Sequence, residues 1–411
     1  MNGQTAEKWL VDILDYWQGL KDEENGGFWG ESDFYGIPKK LADKGCIANS
    51  RILWTFSAAY RAVRNESYKK HAEIAYDFMQ KAFIDEENGG LFWLARADGT
   101  PLETKKHFYN IAFGVYALSE FYLATEDEKS LNLAIQLFEK MEQHGRDKIA
   151  GGYIEAAGQK WQAIDDFRLS DKDMNGPKSM NTNLHVMEAY TNLLRAVRQA
   201  HNKHRGRMLD APDTSDTLKA VRISVSEALS SLMHVIMDKI IDKTTFRLFF
   251  EMDWTPLKAG ISYGHDIEGS WLLHDSALAL GGEELLYEAI DVATEIAEAT
   301  YNIAIDHENG GLKSGISVTG KPFENKEWWP QAEAVPGFYN AFKMTDDKKF
   351  KDAAESIWEY ISRHFIDTRN GEWHNELFYN NWPDVSMPKT GFWKCPYHNG
   401  RMCLQIMKWY K

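Results

Sequence analysis

A short glycine tract returns along the chain about every sixty residues, and a repeat of that length limits the architecture more than composition does. EENGGFWG carries Gly26-Gly27, EENGGLFW carries Gly89-Gly90, AGGYIEA carries Gly151-Gly152, HENGGLKSG carries Gly310-Gly311 and RNGEWHNE carries Gly371. The steps are 63 residues from 26 to 89, 62 from 89 to 151 and 61 from 310 to 371. Between 151 and 310 lies a double step, with a weaker tract at TFRLFFEM near Arg247. Six units result. The third is enlarged by the polar stretch 201–217, HNKHRGRMLDAPDTSDT, read as a surface loop or a helix extension.

Each unit reads as a pair of helices. Upstream of a glycine tract runs an amphipathic segment such as YKKHAEIAYDFMQKAF (68–83) or LNLAIQLFEKMEQH (131–144). Downstream comes a more apolar one, as in ILWTFSAAYRAV (52–63), NIAFGVYALSEFYLA (110–124) and LHVMEAYTNLLRAV (184–197). Apolar residues at i, i+3, i+4 and i+7 mark both types as helical. The first type suits an outer layer and the second an inner one. Extended-type residues gather only around the glycine tracts. The expectation is an all-α fold, an (α/α)6 barrel of six helical hairpins in one domain spanning 1–411.

Composition narrows the function classes. The chain has 411 residues, 44% of them hydrophobic and 26% charged, as in ordinary globular proteins. With 47 Lys and Arg against 61 Asp and Glu, the net charge of −14 argues against nucleic-acid and anionic-membrane partners. No uninterrupted apolar run approaches the ~18 residues of a membrane span. The first residues, MNGQTAEKWLVDIL, do not set a basic segment before an apolar one, and three cysteines (Cys46, Cys395, Cys403) make no disulfide framework. A cytoplasmic monomer with reduced thiols is expected. The 13% of aromatic residues suit a large core or a cavity for sugar rings, and the core is the simpler reading.

Polar side chains interrupt the inner helices once per unit, at their starts. Arg51 stands in NSRILW, Tyr109 in HFYNIAF, His185 in MNTNLHVMEAY, His265 in YGHDIEGSWLL, Trp329 and Glu333 in WWPQAEAV, and His398 in WKCPYHNGRM. From 51 through 109, 185, 265 and 333 to 398 the steps are 58, 76, 80, 68 and 65 residues. In a closed ring of hairpins these helix starts share one side, so the six positions would converge on one funnel. His265, Glu268 and Trp271 follow at i, i+3 and i+6 on one helical arc, and Asn181 and His185 at i and i+4. Singly, each has a plainer explanation. His265 and Glu268 make a helix cap, His185 and His398 sit in a core, Arg51 pairs with a carboxylate such as Glu333, and Trp329 and Trp393 fill space. His107, His374 and Glu376 are set aside on the structural side. The joint pattern outweighs these, because a core gains nothing from costly polar groups once per repeat on one rim.

The chain has no HExxH, no CxxC pair, no phosphate loop and no GxSxG. Histidines suit proton movement near neutral pH. Two of them facing one carbon from opposite sides would remove a proton and return it to the other face, through an enediolate that an arginine stabilises. Rim aromatics would hold a saccharide. Three alternatives use overlapping parts. Glu268 and Glu333 could serve as the carboxylate pair of a glycoside hydrolase. His265, His398 and a Glu could bind a divalent metal for an isomerase. A helical repeat scaffold could present a groove to a peptide.

At these residues the sequence resembles the cellobiose 2-epimerases, within the N-acylglucosamine 2-epimerase superfamily. The matching tracts, KGCIANSRILW, KHFYNIAFGVYALSEFY, MNTNLHVMEAYTNL, SYGHDIEGSWLL, EWWPQAEAV and WKCPYHNGRMCL, cover essentially the whole chain. The resemblance implies an (α/α)6 barrel and reversible epimerisation at C2 of the reducing-end glucose of β-1,4-linked disaccharides, with no metal and no redox cofactor. It also implies roles. His265 and His398 match the acid/base histidines, Arg51 and His185 the pair that holds the enediolate, and Glu268 and Glu333 the carboxylates that orient the histidines. Tyr109, Asn181, Trp271, Trp329 and Trp393 match sugar-binding positions. The segment YGHDIE departs from the NPGH type of the N-acylglucosamine 2-epimerases themselves. Relatives that prefer free mannose and glucose carry nearly the same residues.

Overall fold

A computed structural model describes residues 1–170, 173–205 and 212–410. Twelve α-helices stand among the described residues: α1 (Gly3–Gln18), α2 (Cys46–Val63), α3 (Glu66–Ala82), α4 (Phe108–Thr125), α5 (Glu128–His144), α6 (Met180–Arg205), α7 (Pro212–Val235), α8 (Tyr263–Leu280), α9 (Glu283–Ala304), α10 (Trp328–Thr345), α11 (Lys348–Tyr360) and α12 (Tyr397–Trp409). The fold is predominantly helical. The strands are two or three residues long and flank the glycine turns.

The two helix types divide as their sequences require. On α4 every residue from Phe108 to Ala124 is buried. On α3 burial follows one face, through Tyr68, Ala72, Ala75, Tyr76 and Met79. The even-numbered helices pack on one another in cyclic order, α2 on α4, then α6, α8, α10, α12 and back to α2. Each odd-numbered helix backs an inner one, with α1 against α12 at the seam where the chain ends meet.

One device, repeated five times among the described residues, sets where each inner helix begins. An aspartate follows each outer helix except α7, and one of its oxygens accepts the backbone N–H groups two and three residues on, as Asp85 does from Glu87 and Asn88. The glycines that complete the turn take positive φ, +88° at Gly26 and +68° at Gly27, and a Cβ on Gly27 would lie 2.6 Å from the Phe78 ring. The other aspartate oxygen accepts from a lysine just before the inner helix. The pairs are Lys44–Asp22, Lys106–Asp85, Lys178–Asp147, Lys326–Asp306 and Lys389–Asp367, at 2.5–2.7 Å. All five lysine side chains are 4% exposed or less. Only at such burial does an ion pair act as a structural pin.

Backbone bridges tie each unit to the next. Lys44–Gly45 pairs with Leu94–Ala95, Lys106–His107 with Ala156–Ala157, Lys178–Ser179 with Phe249–Phe250, Ile261–Ser262 with Gly315–Ile316, and Lys326–Glu327 with Glu376–Leu377. A bridge from Ser32 to Thr390 joins the last unit to the first.

The fourth unit is built differently. At the weak tract near Arg247, Ile241–Asp242 pairs with Thr245–Phe246 around Lys243, which takes the left-handed φ of +58° in place of a glycine. Asp266 of α8 accepts from the Thr245 hydroxyl and the Phe246 N–H. Of the enlarged stretch 201–217, the flanks extend α6 and α7, and 206–211 lie outside the described residues. Asp216–Ile240 reaches a mean hydropathy of 1.2 over 18 residues, long and apolar enough by length and composition to cross a membrane, which corrects the expectation drawn from uninterrupted runs. Its apolar residues are spread among serines rather than consecutive. The helix lies against α6 and buries Val225, Leu229, Leu232 and Met233.

Removing one member of a buried ion pair strands the other. Lys106→Met should therefore lower unfolding stability by about 3–5 kcal/mol in urea titrations. Adding Asp85→Asn should recover part of the loss, and an unchanged urea midpoint for Lys106→Met would refute the pin.

Candidate active site

The starts of the inner helices hold a continuous set of contacts. Arg51 is 3% exposed and donates from Nη2 to the Tyr109 hydroxyl at 2.7 Å. Its guanidinium lies 4.3 Å from the centre of the Phe113 ring and 5.1 Å from that of Tyr397. The Tyr109 ring meets His185 edge-on at 5.2 Å. His185 Nδ1 is 2.8 Å from Glu188 Oε2, and Glu188 Oε1 accepts from the Tyr397 hydroxyl at 2.5 Å and from Arg401. Arg401 also binds Glu268 and lies 2.6 Å from Glu333 Oε1. Glu333 Oε1 is 2.7 Å from His398 Nδ1, and its Oε2 accepts from the Trp271 indole at 3.2 Å. The Trp329 ring neighbours two histidines, with ring centres 5.6 Å from His398 and 4.7 Å from His265.

In all three histidines Nδ1 takes the anchoring bond, which leaves Nε2 for chemistry. The anchors differ. Carboxylates hold His185 and His398; in the neutral His398 ring Nδ1 donates to Glu333 and Nε2 carries a lone pair. His265 Nδ1 is 2.8 Å from the Ser262 hydroxyl, the same oxygen that caps α8 by accepting from the His265 N–H. Glu268 does not touch His265. Its Oε1 binds Arg401 and lies 3.8 Å from His398, and its Oε2 is buried without a hydrogen-bond partner. Of the two carboxylates that the resemblance implies orient the histidines, Glu333 bonds His398, and the hydroxyl three residues upstream takes the Nδ1 of His265.

The charges are ordered by burial and by Arg401. Burial lowers the pKa of His265 to about 4, against a smaller opposing pull from Glu268. Burial also pushes His398 well below the usual imidazole range, with Glu268 again opposing. Both rings are neutral at pH 7. Burial raises Glu188, but Arg401 and His185 outweigh it and bring its pKa to about 2. Arg51 takes no carboxylate partner of the kind anticipated, since Glu333 is engaged by Arg401.

Most residues singled out in the sequence meet here. Trp329 is half-buried and Trp393 is 38% exposed beside Tyr109. Trp271 is buried under the Arg401 guanidinium, 4.8 Å from its ring centre. Asn181 stands apart, its side-chain oxygen buried without a partner in a recess it shares with Glu155, Phe167 and Phe249. His107 binds the Phe167 carbonyl at 3.0 Å, His374 stacks on Phe34, and Glu376 accepts from Asn325. Arg401, Glu188, Tyr397 and Ser262 were not singled out. A signal existed for two of them. Each site histidine is followed at i+3 by a charged residue, as 185/188, 265/268 and 398/401, which places both on one helix face.

This geometry bears on the competing chemistries. Glu268 and Glu333 bind one nitrogen of the same guanidinium, so they do not flank a bond as a hydrolase pair must. Ligand atoms of Glu268, Glu333 and His398 lie within 4.8 Å of one another, the spacing of a metal site. The Arg401 charge already fills that donor set and would repel a divalent cation.

The N-acylglucosamine 2-epimerase (GlcNAc 2-epimerase) family model matches residues 27–201 and 223–398, and the interruption falls at the enlarged stretch. A cellobiose 2-epimerase of Bacteroides fragilis is 40% identical over 398 residues, covering 96% of this chain and 95% of that protein. Among solved structures, a sugar epimerase from a ruminal bacterium superposes with a TM-score of 0.89 at 34% identity, covering 98% of each chain. The cellobiose 2-epimerase of Spirochaeta thermophila superposes with a TM-score of 0.88 at 34% identity, covering 98% of this chain and 96% of that one.

The lowered pKa gives a direct check. In ring-proton NMR, with His265→Asn to assign the signal, His265 should titrate near pH 4 and remain neutral through pH 6. The folded form binds this proton less readily than the unfolded chain. The stability the histidine contributes is therefore full above about pH 6.5 and declines as the pH falls toward 4. A midpoint at or above 6.5 would show that the ring is not desolvated as described.

Proposed function

The chain belongs to the N-acylglucosamine 2-epimerase family, and from that premise we propose how its residues carry out the reaction. It is a carbohydrate epimerase, and proteins named cellobiose 2-epimerase match it at 36–40% identity over nearly its whole length. It is a disaccharide 2-epimerase. The substrate is read as a β-1,4-linked disaccharide such as cellobiose or lactose, epimerised at C2 of its reducing-end glucose. The cyclic packing of the inner helices supports an (α/α)6 barrel in a single domain over 1–411.

The observation that carries the mechanism is the pair of neutral histidines, His265 and His398, that both neighbour the Trp329 ring. The pyranose opens first, when the anomeric hydroxyl gives up its proton and the ring oxygen takes one. His398, with Nδ1–H held by Glu333, presents a bare Nε2 that removes the C2 proton. The electron pair moves into C1–C2, and the charge that develops on the C1 oxygen is held by Arg51 and His185. After rotation about C2–C3 the cis-enediolate takes a proton from His265 on the other face. The Ser262 oxygen accepts the His265 N–H, which leaves its own O–H to donate to Nδ1, so that Nε2 carries the proton. In the reverse direction the two exchange roles. The step leaves His398 with the proton it took and His265 without the one it gave, and exchange with solvent resets both rings. Protons therefore balance over the cycle, no electrons change hands and the chemistry calls for no redox cofactor. Tyr109, Asn181, Trp271, Trp329 and Trp393 are assigned to substrate binding, with Trp329 and Trp393 as stacking surfaces and Tyr109 and Trp271 acting through Arg51 and Glu333.

His265→Ala and His398→Ala should each reduce kcat by about 10²–10⁴-fold, with the double variant little worse than either. Trp329→Ala should act mainly on KM. Near-normal kcat in His398→Ala would remove the two-histidine assignment.

The reaction itself is tested in D₂O, with cellobiose, lactose, glucose, mannose and N-acetylglucosamine followed separately by NMR. Deuterium is expected at C2 alone, entering as the glucose- and mannose-type epimers interconvert. Cellobiose should turn over faster than glucose, since a second ring can lie on the rim tryptophans. Faster turnover of glucose and mannose would replace the disaccharide reading, and epimer formation that retains protium at C2 would eliminate the enediolate.

A further inference from the structure

A second cavity, of about 280 Å³, lies farther along the same inner helices, at the end remote from the histidines. The residues lining it follow the site residues by one to three turns. Trp54 and Arg61 come after Arg51 on α2, Tyr116 and Glu120 after Tyr109 on α4, Arg195 after His185 on α6, and Asp275 after His265 on α8. Glu188, Trp271 and Arg401 also line it. The cluster beneath the histidines is thus shared by the two spaces.

Three features describe an occupant. The first is an aromatic wall, Trp54 stacked on Tyr116 with ring centres 5.2 Å apart and planes 11° from parallel. The second is an unmatched donor. Trp54 is 7% exposed, and its indole N–H is buried with no hydrogen-bond partner. A buried indole N–H normally finds an acceptor, and leaving it bare costs about 1–3 kcal/mol. The third is charge balance. Arg61 pairs with Glu120 at 2.6 Å, Arg195 with Asp275 at 2.8 Å, and Arg401 with Glu188. These paired charges offer hydrogen-bond donors and acceptors, and the one further charge on the lining, Lys408, is exposed to solvent.

We propose that this cavity is a second binding site, for a neutral polyhydroxylated molecule of one sugar-ring size. Its volume of about 280 Å³ falls just below the usual range of ligand pockets, about 300–1,000 Å³, and admits one ring and not a disaccharide. Hydroxyl groups suit the wall, accepting from the arginines and, once the indole turns to uncover it, from the Trp54 N–H, while donating to Glu120 and Asp275. The apolar face of the ring has the Trp54–Tyr116 wall beside it. The site stands independently of the proposed function, because none of its residues other than the shared cluster belongs to the histidine site.

The probe is 1,5-anhydroglucitol, a neutral ring polyol that has no anomeric hydroxyl and so cannot open. The full-length protein is labelled with ¹⁵N at the tryptophan indoles, and Trp54→Phe identifies the Trp54 signal. A saturable shift of that signal with the polyol is expected. Trp54→Phe should weaken polyol binding by about 2–12-fold, the worth of one hydrogen bond, as read by calorimetry in a Trp329→Ala background. Ala58→Phe, which fills the cavity, should abolish the shift; Gln405→Trp does the same from α12 if the first variant does not fold. No shift up to the solubility of the polyol, or a shift that persists in the filled variants, would overturn the site. Saturable shifts with acetate or tetramethylammonium but not with the polyol would overturn the ligand class. Turnover is not read in any arm, so failure of the histidine mechanism would leave this result unchanged, and the reverse.

Discussion

A buried lysine bonded to a buried aspartate is the interaction on which the rest of this molecule depends. The aspartate closes the turn that ends an outer helix, and the lysine stands two residues before an inner helix, or eight before α12 in the case of Lys389. One ion pair therefore fixes the end of one layer against the start of the other. Five such pairs place five inner-helix starts in equivalent settings. Because a charge inside a protein is tolerated only with its partner in place, the register of these turns has little freedom to slip. The functional side chains gain from this directly. Arg51, Tyr109, His185, Trp329 and His398 each lie within about ten residues of the pinned lysine of their unit.

Within that frame a second ionic group, Arg401, orders the chemistry. Its guanidinium gathers Glu188, Glu268 and Glu333 from three different helices, and at Glu188 it outweighs the burial that alone would favour the neutral acid. Two of those carboxylates then hold the Nδ1 atoms of His185 and His398. Burial keeps the His398 ring neutral against the pull of Glu268, and the bond to Glu333 fixes its tautomer. Burial keeps His265 neutral as well, but its anchor is a serine hydroxyl. Two histidines with unlike anchors can present unlike Nε2 atoms, which a two-face proton transfer requires.

Much of this was legible in the residues. The glycine tracts marked the turns because positive φ is cheap only for glycine, and the units could be counted from them. Alternation between amphipathic and wholly apolar segments separated the layers, as α3 and α4 illustrate. Polar residues recurring at the start of each apolar helix located Arg51, Tyr109, His185, His265, Glu333 and His398. The fourth unit was read only weakly because its turn uses Lys243 in the left-handed region and borrows Asp266 from the following helix, a substitution with no glycine signature. Arg401 and Glu188 passed unnoticed although both share a helix face with a site histidine, since one charged residue on an inner helix reads as an ordinary ion pair until its partners are known.

The sequence by itself determined what is periodic, namely the number of units, the two helix types, the positions of the turns and the residues that open each inner helix. Local backbone preference and side-chain periodicity act over a few residues, and a single chain records them. Tertiary structure alone decided the pairings. It joined Lys106 to Asp85, gave Glu268 to Arg401 rather than to His265, set Ser262 against His265, and left Asn181 apart from the histidines. Those choices turn on which of several nearby groups comes within three ångströms of a buried charge. That distance is set by how twelve helices pack, and no segment of the chain contains it.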